Sequence, residues 1–258
     1  MKTIREIFAY REMIASLVRK DLRGRYKGSV LGFLWTFINP LLQLAVYSVV
    51  FSFILRSGIE KFYLFLFVAL IPWLFFSSCL TTGASVMLAE KALVTKIYFP
   101  REVLPIAYTT SSFVNMLLCF VVVFVVVLIS GVPLNPLAWL CLPVIMVIEY
   151  IMTLGITFIA ASVTVYFRDL QHILGIVSMA WMYLTPVLYS ETIVPEQVQF
   201  LFGLNPMTPI IVAYRDILYY AKVPAMGTLV NATVFGVIIL VLGYLLFQKL
   251  KKGFAEEL

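Results

Sequence analysis

The chain has 258 residues, 62% of them apolar or aromatic and only 12% charged, with a mean hydropathy of +1.02. A soluble domain is about 25% charged, so 19 basic and 13 acidic side chains cannot solvate a globule with this much apolar surface. The composition excludes a water-soluble enzyme and a disordered chain, leaving an all-α integral membrane protein, and the net charge of +6 has to be read by side of the membrane before nucleic acid is invoked.

In chain order, the first thirty residues are charged and lack the short apolar core of a cleavable signal peptide. Ile4, Ile7, Phe8, Ile14, Leu17, Val18 and Leu22 fall near helical spacing, interrupted at Arg11, while Arg5, Arg19, Lys20 and Arg23 occupy other faces. Residues 4–23 therefore read as an amphipathic interface helix drawn to anionic lipid; a basic anchor that only sets topology gives the same pattern. Charge-free runs then locate the spans. Gly28–Leu55 and Phe62–Ala89 hold 28 residues each, and Val103–Ile148 holds 46, broken by Gly131-Val132-Pro133-Leu134-Asn135-Pro136. Spans are expected at 28–55, 62–89, 104–130, 137–165, 173–190 and 228–248, each near the ~20 residues that cross ~30 Å of hydrocarbon as a helix. Six transmembrane helices is the expected count.

Between the fifth and sixth spans, Gln197–Tyr214 is charge-free but interrupted by Gly203, Asn205-Pro206 and Pro209. Broken backbone facing lipid would leave amides unsatisfied, so residues 191–227 read as an external re-entrant helical hairpin. Charge supports this. With six spans, one side holds 15 basic residues (Lys2, Arg5, Arg11, Arg19, Lys20, Arg23, Arg25, Lys27, Lys91, Lys96, Arg101, Arg168, Lys249, Lys251 and Lys252) and the other holds 4 (Arg56, Lys61, Arg215 and Lys222). The bias puts both termini in the cytoplasm, and a seventh span would export the C-terminal lysines. The charge excess is thus an orientation signal, and no nucleic acid is needed to explain it.

Chemistry is sparse. Cys79, Cys119 and Cys141 are irregularly spaced and His172 is the one histidine, so no disulfide framework, metal site or catalytic pair is signalled. No phosphate-cradling G-x-x-x-x-G-K-[ST], G-x-S-x-G or H-E-x-x-H occurs, and no catalytic residue is assigned. Glu149 is the one carboxylate well inside a span, too little for an ion-coupled carrier; it either bonds a facing helix or takes part in transport. Either the protein is a passive channel or a partner supplies the energy, and the loop between spans two and three favours a partner. The loop from Glu90 through Lys91, Lys96, Tyr98, Phe99, Pro100 and Arg101 to Glu102 alternates charged and apolar residues, with Pro100 expected to end its helix. Such a helix fits a groove on a soluble partner, or else rests on lipid. At Phe167-Arg168-Asp169-Leu170, Asp169 is expected to cap the next helix while Arg168 anchors the interface; contact with the energy-supplying partner or with a lipid diphosphate is the alternative.

Arg25-Tyr26-Lys27-Gly28-Ser29-Val30-Leu31-Gly32-Phe33-Leu34-Trp35 with Asn39-Pro40 resembles the start of the first span in ABC-2 type permeases, and more narrowly in the exporters of O-antigen, capsule and teichoic acid. Pro72-Trp73-Leu74-Phe75-Phe76 followed by Lys96–Glu102, then Phe167–Leu170, then Thr185-Pro186-Val187-Leu188-Tyr189 with Leu204-Asn205-Pro206-Met207 and Tyr214-Arg215, agree with it in order. The resemblance covers about residues 10–250. It implies a single transmembrane domain over 1–258, a second copy of the chain, and two ATPase subunits that carry the ATP and magnesium, with no cofactor on this chain. Residues 89–102 would be the coupling helix, with Glu90 standing where the family more often has Asn. Arg25 and Tyr26 would lie at the cytoplasmic entry or serve as an anchor there, and Asn205 and Pro206 would lie in the external gate. The implied cargo is a polyprenyl-diphosphate-linked glycan crossing the bacterial cytoplasmic membrane; a drug or small lipid is the alternative cargo. Most of the 39 aromatic residues are expected in the interfacial belts, whereas Trp181, Tyr183 and Tyr189 are the candidates to line a sugar path.

Overall fold

The computed structural model describes residues 2–25, 27–54 and 58–258. Tyr26 and Arg56, which the sequence assigns to an anchor and to the less basic side, lie outside the described residues, as do the side chains of residues 2–5. Among the described residues the chain is helical throughout, without a strand.

The N-terminal amphipathic stretch forms two helices, α1 (Lys2–Ala9) and α2 (Arg11–Gly24), bent at Tyr10. The bend lets Met13, Ile14 and Leu17 of α2 pack onto a protein cluster, while Arg11, Glu12, Arg19 and Lys20 stay exposed. A 3-10 turn at Gly32–Leu34 leads into α3 (Trp35–Ser48), which continues as a π-helical segment to Ile54. α4 (Phe62–Thr81) follows, with a 3-10 turn and the short α5 (Val86–Ala89), then α6 (Lys91–Lys96). α7 (Val103–Ile129) and α8 (Pro136–Tyr166) are the long central pair. Asn135 starts α8: its Oδ1 accepts from the amides of Leu137 and Ala138, and Pro136 occupies the first turn, where its missing N–H is not needed.

α9 (Leu170–Leu184) is shorter than the 173–190 span expected. Thr185 precedes Pro186, whose ring disfavours helical backbone at the residue before it, and Thr185 is accordingly extended. Fifteen residues rise only ~22 Å. α10 (Glu196–Leu204) and α11 (Met207–Leu218) form the broken segment, and α12 (Met226–Leu250) with α13 (Phe254–Glu257) ends the chain. Among the described residues, five helical stretches are long and apolar enough to cross a membrane: Gly32–Ser52, Phe62–Ala89, Val103–Ile129, Pro136–Tyr166 and Met226–Gly253.

α4 is apolar on every side and is the hub, packed by α3, α7, α8, α9 and α11. α8 and α12 form the most extensive pair, and glycine permits it. A Cβ at Gly243 would overlap the Gly155 carbonyl, and one at Gly155 would meet the backbone of Ile239 and Leu240 at 2.6 Å. Elsewhere α12 presents Val234, Val237, Val241 and Leu245 outward, an unbroken apolar stripe of the kind that faces lipid or another membrane helix. A second, smaller apolar cluster (Met87, Val94, Phe99, Phe158, Phe247, Phe254) closes the end of the bundle where both chain termini lie.

Candidate functional site

At that terminal end, the expected coupling segment divides into an anchored half and a presented half. α6 stops at Lys96, four residues before Pro100; Ile97 is extended, and the chain runs without helix until Val103. The helix ends early because Phe99 must reach into the apolar cluster, and the residue before Pro100 is itself biased to extended backbone. Val94 and Phe99 point inward, whereas Lys91, Lys96, Ile97 and Tyr98 point out, Tyr98 with 96% of its surface exposed. Pro100 is half-buried between the two sets. Beside this edge is a cleft of about 670 Å³ lined by Glu6, Tyr10, residues 94–102, Lys251 and Lys252.

Glu102 is fully buried, and its Oε1 accepts from Lys251 Nζ and Gln248 Nε2, both at 2.6 Å. Arg101 donates to the Lys251 carbonyl and lies over the Phe254 ring. The loop is therefore clamped to the end of α12, and a buried charge is compensated as it must be. Glu90 accepts from Lys20 Nζ at 2.6 Å, which ties the start of α6 to α2. From sequence, Gln248, Phe254 and Tyr10 go unnamed, and Lys20 and Lys251 are named only as basic charges. The i, i+3 spacing of Gln248 and Lys251, with Phe254 three residues on, is the signal that was available.

Arg25 is held by Asp21 (Nε to Oδ2, 2.9 Å) and donates to Ser112 Oγ at 2.9 Å on α7, so it fastens α2 to the bundle. Arg168 donates to the Glu257 carbonyl at 3.2 Å. Asp169 sits at the first residue before α9, but its side chain makes no cap bond, so the expected side-chain cap does not form. A helical backbone angle at Asp169 leaves its carboxylate off the line to the first amides.

The remaining candidates meet around Asn205. Its Oδ1 accepts from Trp181 Nε1 and from the Met207 amide, both at 3.0 Å. Its Nδ2 donates to the Leu184 carbonyl at 3.0 Å and to Thr185 Oγ1 at 2.9 Å. One side chain thus closes the end of α9, starts α11 and satisfies an indole, and Pro206 fits the α11 start. Trp181 also packs edge-on against Phe76 of α4, centroids 5.0 Å apart. Tyr189 donates to the Tyr183 carbonyl at 2.6 Å, and the Tyr183 ring itself is exposed. Arg215 of α11, missed from sequence as a structural centre, is buried. It donates to the carbonyls of Val187 (2.7 Å) and Tyr189 (3.1 Å), with its guanidinium 3.6 Å from the Phe65 ring centroid. At the far end of α11, burial pushes the Asp216 carboxyl up, opposed by Lys222 at 3.3 Å. Between α3, α4 and α9 runs a groove of about 270 Å³ in which Gln43, Tyr47, Trp73, Ser77, Thr81 and Ser178 offer amide, hydroxyl and aromatic surface on an otherwise apolar face.

Comparison with known proteins adds the assignment that geometry alone does not make. A sequence model described as "ABC-2 type transporter" matches residues 12–219. The O-antigen export system permease protein RfbA of Myxococcus xanthus is 37% identical over the full length of both chains. The protein of the same name from Klebsiella pneumoniae is 31% identical over 96% of this chain and 95% of its own.

Proposed function

The chain belongs to the ABC-2 type transporter family, and on that premise we propose that it is the permease subunit of an ATP-driven exporter carrying a lipid-linked cell-surface polysaccharide across the bacterial cytoplasmic membrane. The observation that carries the cargo is the full-length similarity to a permease named for O-antigen export. The chain is a multi-pass transport component, and its family works with an ABC ATPase. In this reading two copies of the permease assemble with two ATPase subunits, and ATP and magnesium are held by the latter.

The 15-to-4 distribution of basic residues supports placing both termini, the 89–102 loop and the Glu102–Lys251 clamp in the cytoplasm. Exposed Lys91, Lys96, Ile97 and Tyr98 then meet the ATPase, while Phe99, Arg101 and Glu102 hold that edge against α12. α9 serves as the fifth of six spans, completed by the turns and bends of residues 185–190.

Contacts support residues 191–227 as a re-entrant external gate. The apex residue Asn205 bonds Trp181, which packs on Phe76, ~21 Å along α4 from Phe62. α11 then returns: Tyr219 OH donates to the Glu60 carbonyl, and the Ala221 carbonyl accepts from Asn135 at 3.1 Å, both at the ends where α4 and α8 begin. The groove beside α9, with its aromatic and hydroxyl lining, suits sugar faces without demanding one linkage. Depletion tests the assignment. Cells lacking the permease are expected to accumulate lipid-linked glycan on the cytoplasmic side, and unchanged surface polysaccharide contradicts it.

A further inference from the structure

The exporter so described leaves one buried acid without a task. Glu149 lies in the middle of α8 with no exposed surface, and its Oε2 accepts from the Tyr214 hydroxyl at 2.6 Å. Tyr214 is itself fully buried on α11, its ring stacked on Phe120 of α7 with centroids 5.5 Å apart. Asn205 and Arg215 tie the hairpin to α9, to α4 and to the 187–189 stretch, which are its own flank and its neighbour. Among the described residues, Tyr214–Glu149 is the one hydrogen bond between α11 and α8.

What lies behind α8 makes this bond more than local. α8 is locked to α12 through the Gly155–Gly243 contact, and the far end of α12 is clamped to the 97–102 loop by Gln248 and Lys251 on Glu102. The two helices form one strut that runs from the exposed edge at Tyr98 to the hairpin. A displacement of that edge reaches α11 where the strut touches it.

We propose that Glu149 is a positioning residue for the external gate: through the Tyr214 hydroxyl it seats α11 on α8 in the closed arrangement, and the strut acts on the gate through this bond. The proposal rests on reading the 191–227 hairpin as the external gate. Its requirement is a hydrogen-bond acceptor at position 149. A carboxylate that carries protons across is a different requirement, and glutamine separates the two because its amide oxygen accepts but cannot titrate.

The test uses the full chain reconstituted with its ATPase subunit in vesicles holding a small trapped dye, with dye leak, ATP hydrolysis and glycan export read together. Tyr214→Phe removes the donor and keeps the ring, and is expected to raise leak roughly threefold, the shift in a closed–open ratio that one interhelical hydrogen bond supports. Glycan moved per ATP hydrolysed should fall with it. Glu149→Leu should leak to the same extent, the double variant should add nothing further, and Glu149→Gln should seal and export like the wild type. Wild-type sealing by Tyr214→Phe, or leak in Glu149→Gln equal to that in Glu149→Leu, overturns the proposal. Labelling of Gln199→Cys by an impermeant maleimide from outside keeps the two readings distinct. A labelled site with no leak in Tyr214→Phe overturns the latch alone, and an unlabelled site overturns the gate on which it rests.

Discussion

Asn205 satisfies both hydrogen-bond faces of its amide at once, with four hydrogen bonds from one side chain. Replacing it with Ala leaves the Trp181 indole and the Met207 amide without their acceptor, and is expected to destabilise the protein by about 3 kcal/mol, read as a lower unfolding temperature in detergent. Asn205→Asp keeps the acceptor oxygen and should recover part of that loss. Phe99 and Tyr98 give a contrast within two neighbouring positions. Phe99→Ala empties a site in the apolar cluster and should cost about 3 kcal/mol, whereas Tyr98→Ala touches nothing in the chain and should fold normally while weakening co-purification of the ATPase subunit. Asp216 supplies a pH dependence whose sign is fixed by burial. A carboxyl held above its ordinary 3.8 keeps its proton longer in the folded state, so stability falls as pH rises from 3.8 through the folded value. Asp216→Asn should flatten unfolding temperature against pH in that range.

The α8–α12 pair is the element on which the rest depends, and its glycines are not equivalent. A methyl at Gly243 runs into the Gly155 carbonyl, but at Gly236 the nearest atom is the Ile148 carbonyl oxygen at 3.4 Å. Gly243→Ala is therefore expected to lower the yield of monodisperse protein sharply and Gly236→Ala to leave it near wild type, checked by size-exclusion profile. The element scale is also where sequence reading succeeds and fails for identifiable reasons. The apolar helices expected at 28–55, 62–89, 104–130, 137–165 and 228–248 are legible because a membrane helix is set by composition over ~20 residues, which charge-free runs report directly. The start of α8 is legible in Asn135-Pro136 for the same local reason. The expected end at 190 lies six residues beyond the end of α9 at Leu184 because hydropathy continues through Thr185-Pro186 although helical backbone does not. The helix of the 89–102 loop was read to Pro100 because its pattern continues, whereas the inward pull on Phe99 ends it at Lys96. The clamp at Glu102 was not legible at all. It joins positions 149 residues apart, and a pairing of that kind exists only once the fold has brought α12 back to the loop.

At the scale of the whole molecule, the small number of charges describes a division of labour. One end presents basic, aromatic and apolar side chains around a cleft, the α10–α11 segment is held to the bundle through Asn205, Tyr214 and Arg215, and nothing in the described chain groups residues for a metal. Membership of the ABC-2 family puts the source of energy on a partner, and the outward apolar stripes of α3, α9 and α12 are of the kind that faces lipid or another membrane helix. The most direct measurement of this account is translocation of a polyprenyl-diphosphate-linked glycan in proteoliposomes, with and without the ABC ATPase subunit and ATP. The account predicts transfer across the membrane only when permease, ATPase and hydrolysable ATP are all present. Transfer by the purified permease alone, at a rate indifferent to nucleotide, would contradict it.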